Sequence, residues 1–146
     1  MKIKAALLAA LAISSASAQA LPLDNLMSCS LSSKDFFTRL VQSQVIETPA
    51  YKVTPEGFNA FKEAFPNALT FFGMSVGLVV GYADDPLFFK PGPNGATPAY
   101  DGYGFFVQAP PVAVQAILDS AGFKATRVHA EPSGLTLVSC RFPRPQ

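Results

Sequence analysis

Tryptophan is absent from the 146 residues, histidine occurs once and cysteine twice. One histidine and two cysteines do not make up the ligand set of a structural zinc centre. Cys29 and Cys140 stand near opposite ends of the chain, so there is no C-x-x-C redox pair. Charge is also scarce: Asp, Glu, Lys and Arg make up 14% of the residues. No basic excess is present to neutralise a phosphate backbone, which argues against nucleic acid as a partner. The chain has no phosphate-binding glycine loop and no H-E-x-x-H motif. No cofactor and no metal centre are expected.

Long apolar runs are missing too. Ala5 to Ile13 is too short to span a bilayer. It follows Lys2 and Lys4 and precedes the small, polar stretch Ser14 to Ala20, with Ala-x-Ala at Ala16-Ser17-Ala18 and Ala18-Gln19-Ala20. That is the layout of a secretory signal peptide. Residues 1–20 are therefore expected to be a leader cleaved after Ala18 or Ala20. Residues 21–142 would then form one α+β domain, and 143–146 a frayed tail. The mature chain would be periplasmic or secreted, with no membrane span. Loss of Lys2 and Lys4 from eleven basic residues leaves the remainder one short of the ten acidic ones, which disfavours a polybasic membrane-surface role. In an oxidising compartment Cys29 and Cys140 are expected to pair. Closing a loop of about 110 residues is worth up to about 4.7 kcal/mol in the chain-entropy model.

What is present is apolar and aromatic: 13 phenylalanines, and 49% hydrophobic residues overall, too much for a disordered chain. Ser32-Ser33-Lys34-Asp35 reads as a capping box with Asp in place of Glu, opening a helix over about 33–45. Thr54-Pro55-Glu56 carries the start signals of a second helix, with Phe58, Phe61 and Phe65 as its apolar stripe. Leu69–Phe72 and Val76–Tyr82 favour strands, turned near Gly73 to Ser75. Tyr103, Phe105 and Val107 alternate along another strand. Pro110 and Pro111 then open a helix carrying Val114, Ile117, Leu118 and Ala121 on one face, with Gly122 as its stop. Two strands follow, over 124–130 and 135–142, with Thr136, Val138, Cys140 and Phe142 sharing a face. The expected fold is α+β: two N-terminal helices, then a mostly antiparallel sheet of about five strands crossed by one helix. A split βαβ unit suits its last part.

Residues 83–101 stand apart. This Pro-rich stretch holds Asp84, Asp85 and Asp101 together with Leu87, Phe88, Phe89 and Tyr100. A connection of that length inside a compact domain is commonly functional. Its aromatics either fold back as a plug or face a partner, and the rarity of exposed apolar clusters on monomers favours folding back. The aspartates offer oxygen ligands to calcium, but they lack EF-hand spacing and read as turn formers.

Gly73-Met74-Ser75-Val76-Gly77 fits G-x-S-x-G and resembles the nucleophile elbow of the α/β-hydrolase family. The resemblance implies a serine nucleophile at Ser75, an acid at Asp101 or Asp119, and a base at His129, in that family's chain order. The elbow places a helix after its serine, whereas the residues after Ser75 favour a strand, so a glycine-flanked β-turn is the competing reading. The leading expectation is an exported, non-catalytic binding protein, such as a periplasmic inhibitor or immunity-type partner of another protein. It would present the 83–101 loop from a disulfide-stapled scaffold. A small serine hydrolase using Ser75, His129 and Asp101 or Asp119 is the alternative, and a carrier with a phenylalanine-lined pocket is a third reading.

Overall fold

The computed structural model describes residues 19–144. Residues 1–18 of the expected leader, and Pro145 and Gln146 of the expected tail, lie outside the described residues. The described residues form an α+β fold with two α-helices and eight strands: β1 (Leu21–Pro22), α1 (Ser33–Gln42), β2 (Lys52–Val53), β3 (Asn59–Lys62), β4 (Leu69–Phe71), β5 (Met74–Tyr82), β6 (Tyr100–Val107), α2 (Pro111–Ala121), β7 (Arg127–Ala130) and β8 (Thr136–Pro143). The main order is β1-β4-β5-β6-β8-β7, and β2-β3 joins alongside the second half of β5. Only β1–β4 is parallel; every other pairing is antiparallel.

β6, α2 and β7 form a split βαβ unit. β8 lies between β6 and β7, antiparallel to both, and α2 makes the crossover. Pro110 and Pro111 begin α2, and Gly122 at φ 76 ends it in the left-handed C-terminal position. In α1, the Ser32 hydroxyl accepts from the Asp35 N–H at 3.1 Å, as the capping-box reading requires. The helix stops three residues earlier than the apolar pattern suggests. Gln44 turns to φ 55, and Val45 and Ile46 leave the helix to enter the core from an extended segment.

The second N-terminal helix is corrected. Thr54 does gather hydrogen bonds, from the Gly57 N–H to its carbonyl at 2.9 Å and from the Phe58 N–H to its hydroxyl at 3.1 Å. However, these close the turn of the β2–β3 hairpin and do not start a helix. Gly57 sits at φ +96, which a helix does not tolerate. Phe58, Phe61 and Phe65 are therefore not one stripe. Phe61 enters the core, while Phe58 lies on the opposite face of β3 against Tyr100, ring centroids 5.4 Å apart. The sheet gains strands for the same reason. The stretch 59–62 is a strand, and the first residues after the expected leader pair with β4 through Leu21 N–H to the Ala68 carbonyl and Leu23 N–H to the Thr70 carbonyl. The tail is also corrected over Pro143 and Arg144. Pro143 pairs opposite Tyr100, and the Arg144 guanidinium bonds Asp101 at 2.7 Å.

Both helices cover the same face of the sheet. Phe36 of α1 stacks on Tyr103 of β6, centroids 4.0 Å apart. Phe37 lies over Gly81 of β5, where a Cβ would meet its ring at 2.3 Å. The Ser33 hydroxyl donates to the Gly102 carbonyl at 2.8 Å, tying the first turn of α1 to β6. Val114 and Leu118 of α2 are fully buried in the same core as Phe71, Phe105 and Val138. Cys29, at the end of a short 3-10 turn (Asp24–Ser28), is disulfide-bonded to Cys140 on the covered face of β8, Cα atoms 5.3 Å apart. Beside it the Thr126 hydroxyl donates to the Met27 carbonyl, holding the entry segment against the start of β7.

Because this crosslink spans 111 positions, replacing both cysteines by serine is expected to lower unfolding free energy by roughly 3–5 kcal/mol. Urea denaturation of the double variant measures this, and an unchanged midpoint would contradict it. The Tyr103 hydroxyl, donating to the Leu26 carbonyl at 3.1 Å, supplies a second prediction. Burial pushes its pKa up to about 12 from 10.0. The unfolded chain thus gives up this proton first. The group's contribution is complete below pH 10 and is lost as pH rises toward 12. Denaturant titrations across that window should show the decline in the natural chain and a flatter one in Tyr103→Phe. Equal slopes would remove Tyr103 as the cause.

Candidate functional site

The loop between β5 and β6 is built inward. Phe89 is 3% exposed and meets Phe37 edge-on at 5.0 Å. Phe88 stacks on Phe61 at 5.0 Å with an interplanar angle of 11°. Asp85 forms the turn that aims both rings. Its carbonyl accepts from the Phe88 and Phe89 N–H groups, and its carboxylate accepts from the Leu87 N–H at 3.2 Å and pairs with Lys34 of α1 at 3.7 Å. Asp84 is exposed. Tyr100 is the first residue of β6, with the Arg141 guanidinium 4.8 Å over its ring.

A residue not flagged by its sequence context holds this loop in place. Asn59 is fully buried at the start of β3. Its amide donates to the Lys90 carbonyl at 2.8 Å and to the Gly57 carbonyl at 3.1 Å, and its side-chain oxygen accepts from the Lys90 N–H at 3.0 Å. The side chain thus imitates a neighbouring strand for one residue of the loop. Its signal in the sequence, a polar Asn59 within the apolar run Phe58 to Phe61, is obscured once that stretch is read as a helix.

The anchoring leaves one apolar side chain outside. Leu87 is 99% exposed at the turn between Asp85 and Phe88. Beside it, between the loop and α1, lies an open groove of about 180 Å³ lined by Phe37, Thr38, Val41, Phe88 and Phe89, with Lys34 and Asp85 at its edge. Val41, on the outer side of α1, is 39% exposed.

The second face of the sheet has neither helix over it. Register places its side chains in rows across the strands. One row reads Lys62, Leu78, Phe106, Leu137, His129. The next reads Lys52, Ala60, Val80, Gly104, Ser139, Arg127. Both rows are apolar or small in the middle; they end in Lys62 and Lys52 on one side and in His129 and Arg127 on the other. Arg141 stands one residue pair further along, opposite Gly102. Gly102 and Gly104 leave a depression of about 80 Å³ walled by Phe58, Val80, Tyr100, Leu137 and Arg141. At Gly104 a Cβ would lie 2.5 Å from the Val138 carbonyl oxygen, so close approach of β6 and β8 requires glycine there. Acids stand at the margins of this face. Glu47 and Glu63 lie near Lys62, and Glu131 lies in the β7–β8 turn. Among the described residues the ion pairs are Lys34–Asp85 and Arg144–Asp101. Arg127 and Arg141 therefore have no carboxylate partner there.

The hydrolase constellation is not assembled. Ser75 lies within β5 directly after a two-residue hairpin turn at Phe72 (φ 44) and Gly73 (φ 78), and strand, not helix, follows it. Its hydroxyl donates to the Asn67 side-chain oxygen at 2.8 Å. His129 is on β7, three strand positions across the sheet, which corresponds to about 14 Å at the usual strand spacing. Asp119 accepts from Gln115 within α2, and Asp101 is held by Arg144, whose pKa is raised chiefly by that hydrogen bond. No imidazole is in reach to take the Ser75 proton. The three aspartates of the loop are likewise apart in role. Among the described residues no group of three His, Cys, Asp or Glu side chains is placed to hold a metal ion.

Compared with protein-family models, curated proteins and solved structures, the chain matches none.

If Asn59 is the clamp of the loop, Asn59→Ala should destabilise the fold by roughly 1–3 kcal/mol, because it strands the buried Gly57 carbonyl and the part-buried backbone groups of Lys90. Limited proteolysis should then cut first within 84–99. A variant that resists protease as the natural chain does would show that the loop is held by its aromatic rings alone.

Proposed function

We propose that this chain is an exported, non-catalytic binding protein, and that its partner is another protein engaged through Leu87 and the groove beside it. The observation that carries this reading is a fully exposed leucine on a loop whose next two residues are held inward, Phe88 packed against the core and Phe89 within it. An apolar side chain on a backbone already held by its neighbours, beside an apolar groove, is a small anchor with little backbone left to order. Solvent exposure of Leu87 has no benefit to the fold: the side chain makes none of the aromatic contacts that hold Phe88 and Phe89. The Lys34–Asp85 pair at the groove edge adds orientation more than affinity. The disulfide and the entry segment it pins fit an oxidising compartment, and such a scaffold suits an inhibitor or immunity-type partner. The catalytic reading loses its support with the separation of Ser75 from His129.

Two substitutions separate this from a purely structural role for the loop. Leu87→Lys should leave the thermal midpoint within about 1–2 °C of the natural chain, since an exposed side chain carries no packing. The same change should reduce capture of the cognate protein from periplasmic or secreted fractions at least about tenfold, a hot-spot-sized loss. Leu87→Met should retain capture. If Leu87→Lys retrieves the same protein as the natural chain, the loop is not the contact surface.

A further inference from the structure

We propose that Asn94 is a site of spontaneous modification, converted through a succinimide to aspartate or isoaspartate at a rate set by the opening of the turn that holds it, with the β2–β3 hairpin turn as the gate. The site lies toward the far end of the 83–101 loop and does not rest on the reading of Leu87. Asn25, Asn59 and Asn67 are each followed by a residue with a side chain, whereas Asn94 is followed by Gly95. Glycine leaves its backbone nitrogen unhindered, so here that nitrogen reaches the preceding side-chain carbonyl carbon most readily. Asn94 is exposed, and water has access to it. The step balances without a cofactor. The Gly95 nitrogen loses its proton and bonds to Asn94 Cγ, the Cγ–Nδ2 bond breaks, and ammonia leaves carrying that proton. Water then opens the ring. Opening at the side-chain carbonyl leaves aspartate. Opening at the main-chain carbonyl leaves isoaspartate, with the main chain rerouted through the side-chain carbon.

The fold withholds that nitrogen. The Gly95 N–H donates to the Gly92 carbonyl at 3.1 Å, and the turn is closed by the Ala96 N–H on the Pro93 carbonyl at 3.2 Å and the Gly92 N–H on the Ala96 carbonyl at 2.7 Å. Asn94 sits at φ 56 and ψ 26, and Gly95 at φ 74, a left-handed pair that asparagine and glycine accept. This turn is seated directly on the β2–β3 hairpin. A Cβ on Gly57 would stand 2.4 Å from the Ala96 carbonyl oxygen, and one on Gly92 would stand 2.8 Å from that of Thr54. Lys90, just before, is tied to Asn59. The nitrogen is free to react when these contacts part, so the observed rate is the intrinsic rate multiplied by the fraction of chains with the turn open. Aspartate at position 94 keeps the left-handed conformation. Isoaspartate carries an extra main-chain atom and does not restore the Gly92–Ala96 closure, so the modification holds open a segment that was shut.

The test incubates three samples at mildly alkaline pH: the oxidised natural chain, the same chain reduced and unfolded in guanidinium, and Gly57→Ala. Mass spectrometry of the loop peptide follows the loss of Asn94, and enzymatic methylation scores isoaspartate. Asn94 should react at least about tenfold more slowly in the folded chain than in the unfolded one, which corresponds to an opening free energy of about 1.4 kcal/mol or more. Gly57→Ala, whose Cβ displaces the hairpin from the Ala96 carbonyl, should raise the folded rate at least about threefold while near-ultraviolet circular dichroism stays native. If Gly57→Ala does not fold, Asn59→Ala, which frees Lys90, takes its place. The isoaspartate fraction should be cut by protease within 91–99 sooner than the unmodified chain. Equal rates in the folded and unfolded chain, or no reaction at Asn94 in the unfolded one, overturns the proposal. A folded gate variant that reacts at the natural rate, or equal protease cutting of the two fractions, overturns it as well. None of these readouts involves a partner protein, so this inference and the binding role of Leu87 fail separately.

Discussion

The ring of Phe37 occupies the space that any side chain at position 81 would need. A Cβ there would stand 2.3 Å from it, so the helix and the central strand are matched at one point. Three parts of the molecule meet on that ring. Phe61 brings β3, Phe88 and Phe89 bring the long loop, and Phe36 next to it brings Tyr103 of β6. Phe37 therefore organises more than its own helix. Enlarging Gly81 would lift α1 from the sheet, and the loop aromatics would lose the surface they close against. Edge-on and tilted ring pairs of this kind add to simple area burial.

How far the sequence exposes this arrangement depends on how local the cause is. The start of α1 and both ends of α2 are local, set by Ser32, Pro111 and Gly122, and each is legible. The strand pair around Phe72-Gly73 is legible for the same reason. The alternation in β8 separates Thr136, Val138 and Cys140 from Leu137, Ser139 and Arg141, and the covered side is the first set. The stretch 54–65 is misleading because a hairpin turn and a helix start use the same chemistry: a threonine oxygen receiving N–H groups, a proline at fixed φ, an acid nearby. What separates them is Gly57 and the partner strand β5, and the second of these is not local. Three-and-four spacing of Phe58, Phe61 and Phe65 was compatible with a helical stripe, yet pairing with β5 outweighed a weak intrinsic preference.

The candidate sites were less visible, for a related reason. The proposed binding surfaces are defined by what is not covered, and coverage is a tertiary property. Both helices pack on one face, so the composition of the other face becomes meaningful only when the rows across β3, β5, β6, β8 and β7 are known. Lys62 and His129 are sixty-seven positions apart in the chain (129 − 62 = 67) and end the same row. The loop behaves similarly. Leu87, Phe88 and Phe89 are three adjacent apolar residues, yet two turn inward onto the core and one does not, a division decided by the turn at Asp85 and the clamp from Asn59.

The same geometry explains why G-x-S-x-G assembles no triad here. In a nucleophile elbow the glycines relieve crowding at a strained turn from strand into helix, and the serine is held up at the end of a sheet. In this chain Gly73 supplies the second left-handed residue of a two-residue hairpin, and Gly77 lies inside β5 beside an irregularity in its pairing with β6. The glycines serve strand pairing, and Ser75 spends its proton on Asn67. A face with ordered hydroxyls and no base beside them does not activate a nucleophile. A face with an apolar floor, whose Arg127 and Arg141 pair with no carboxylate among the described residues, offers a ligand shape and charge, and that contrast is what supports the proposed recognition role.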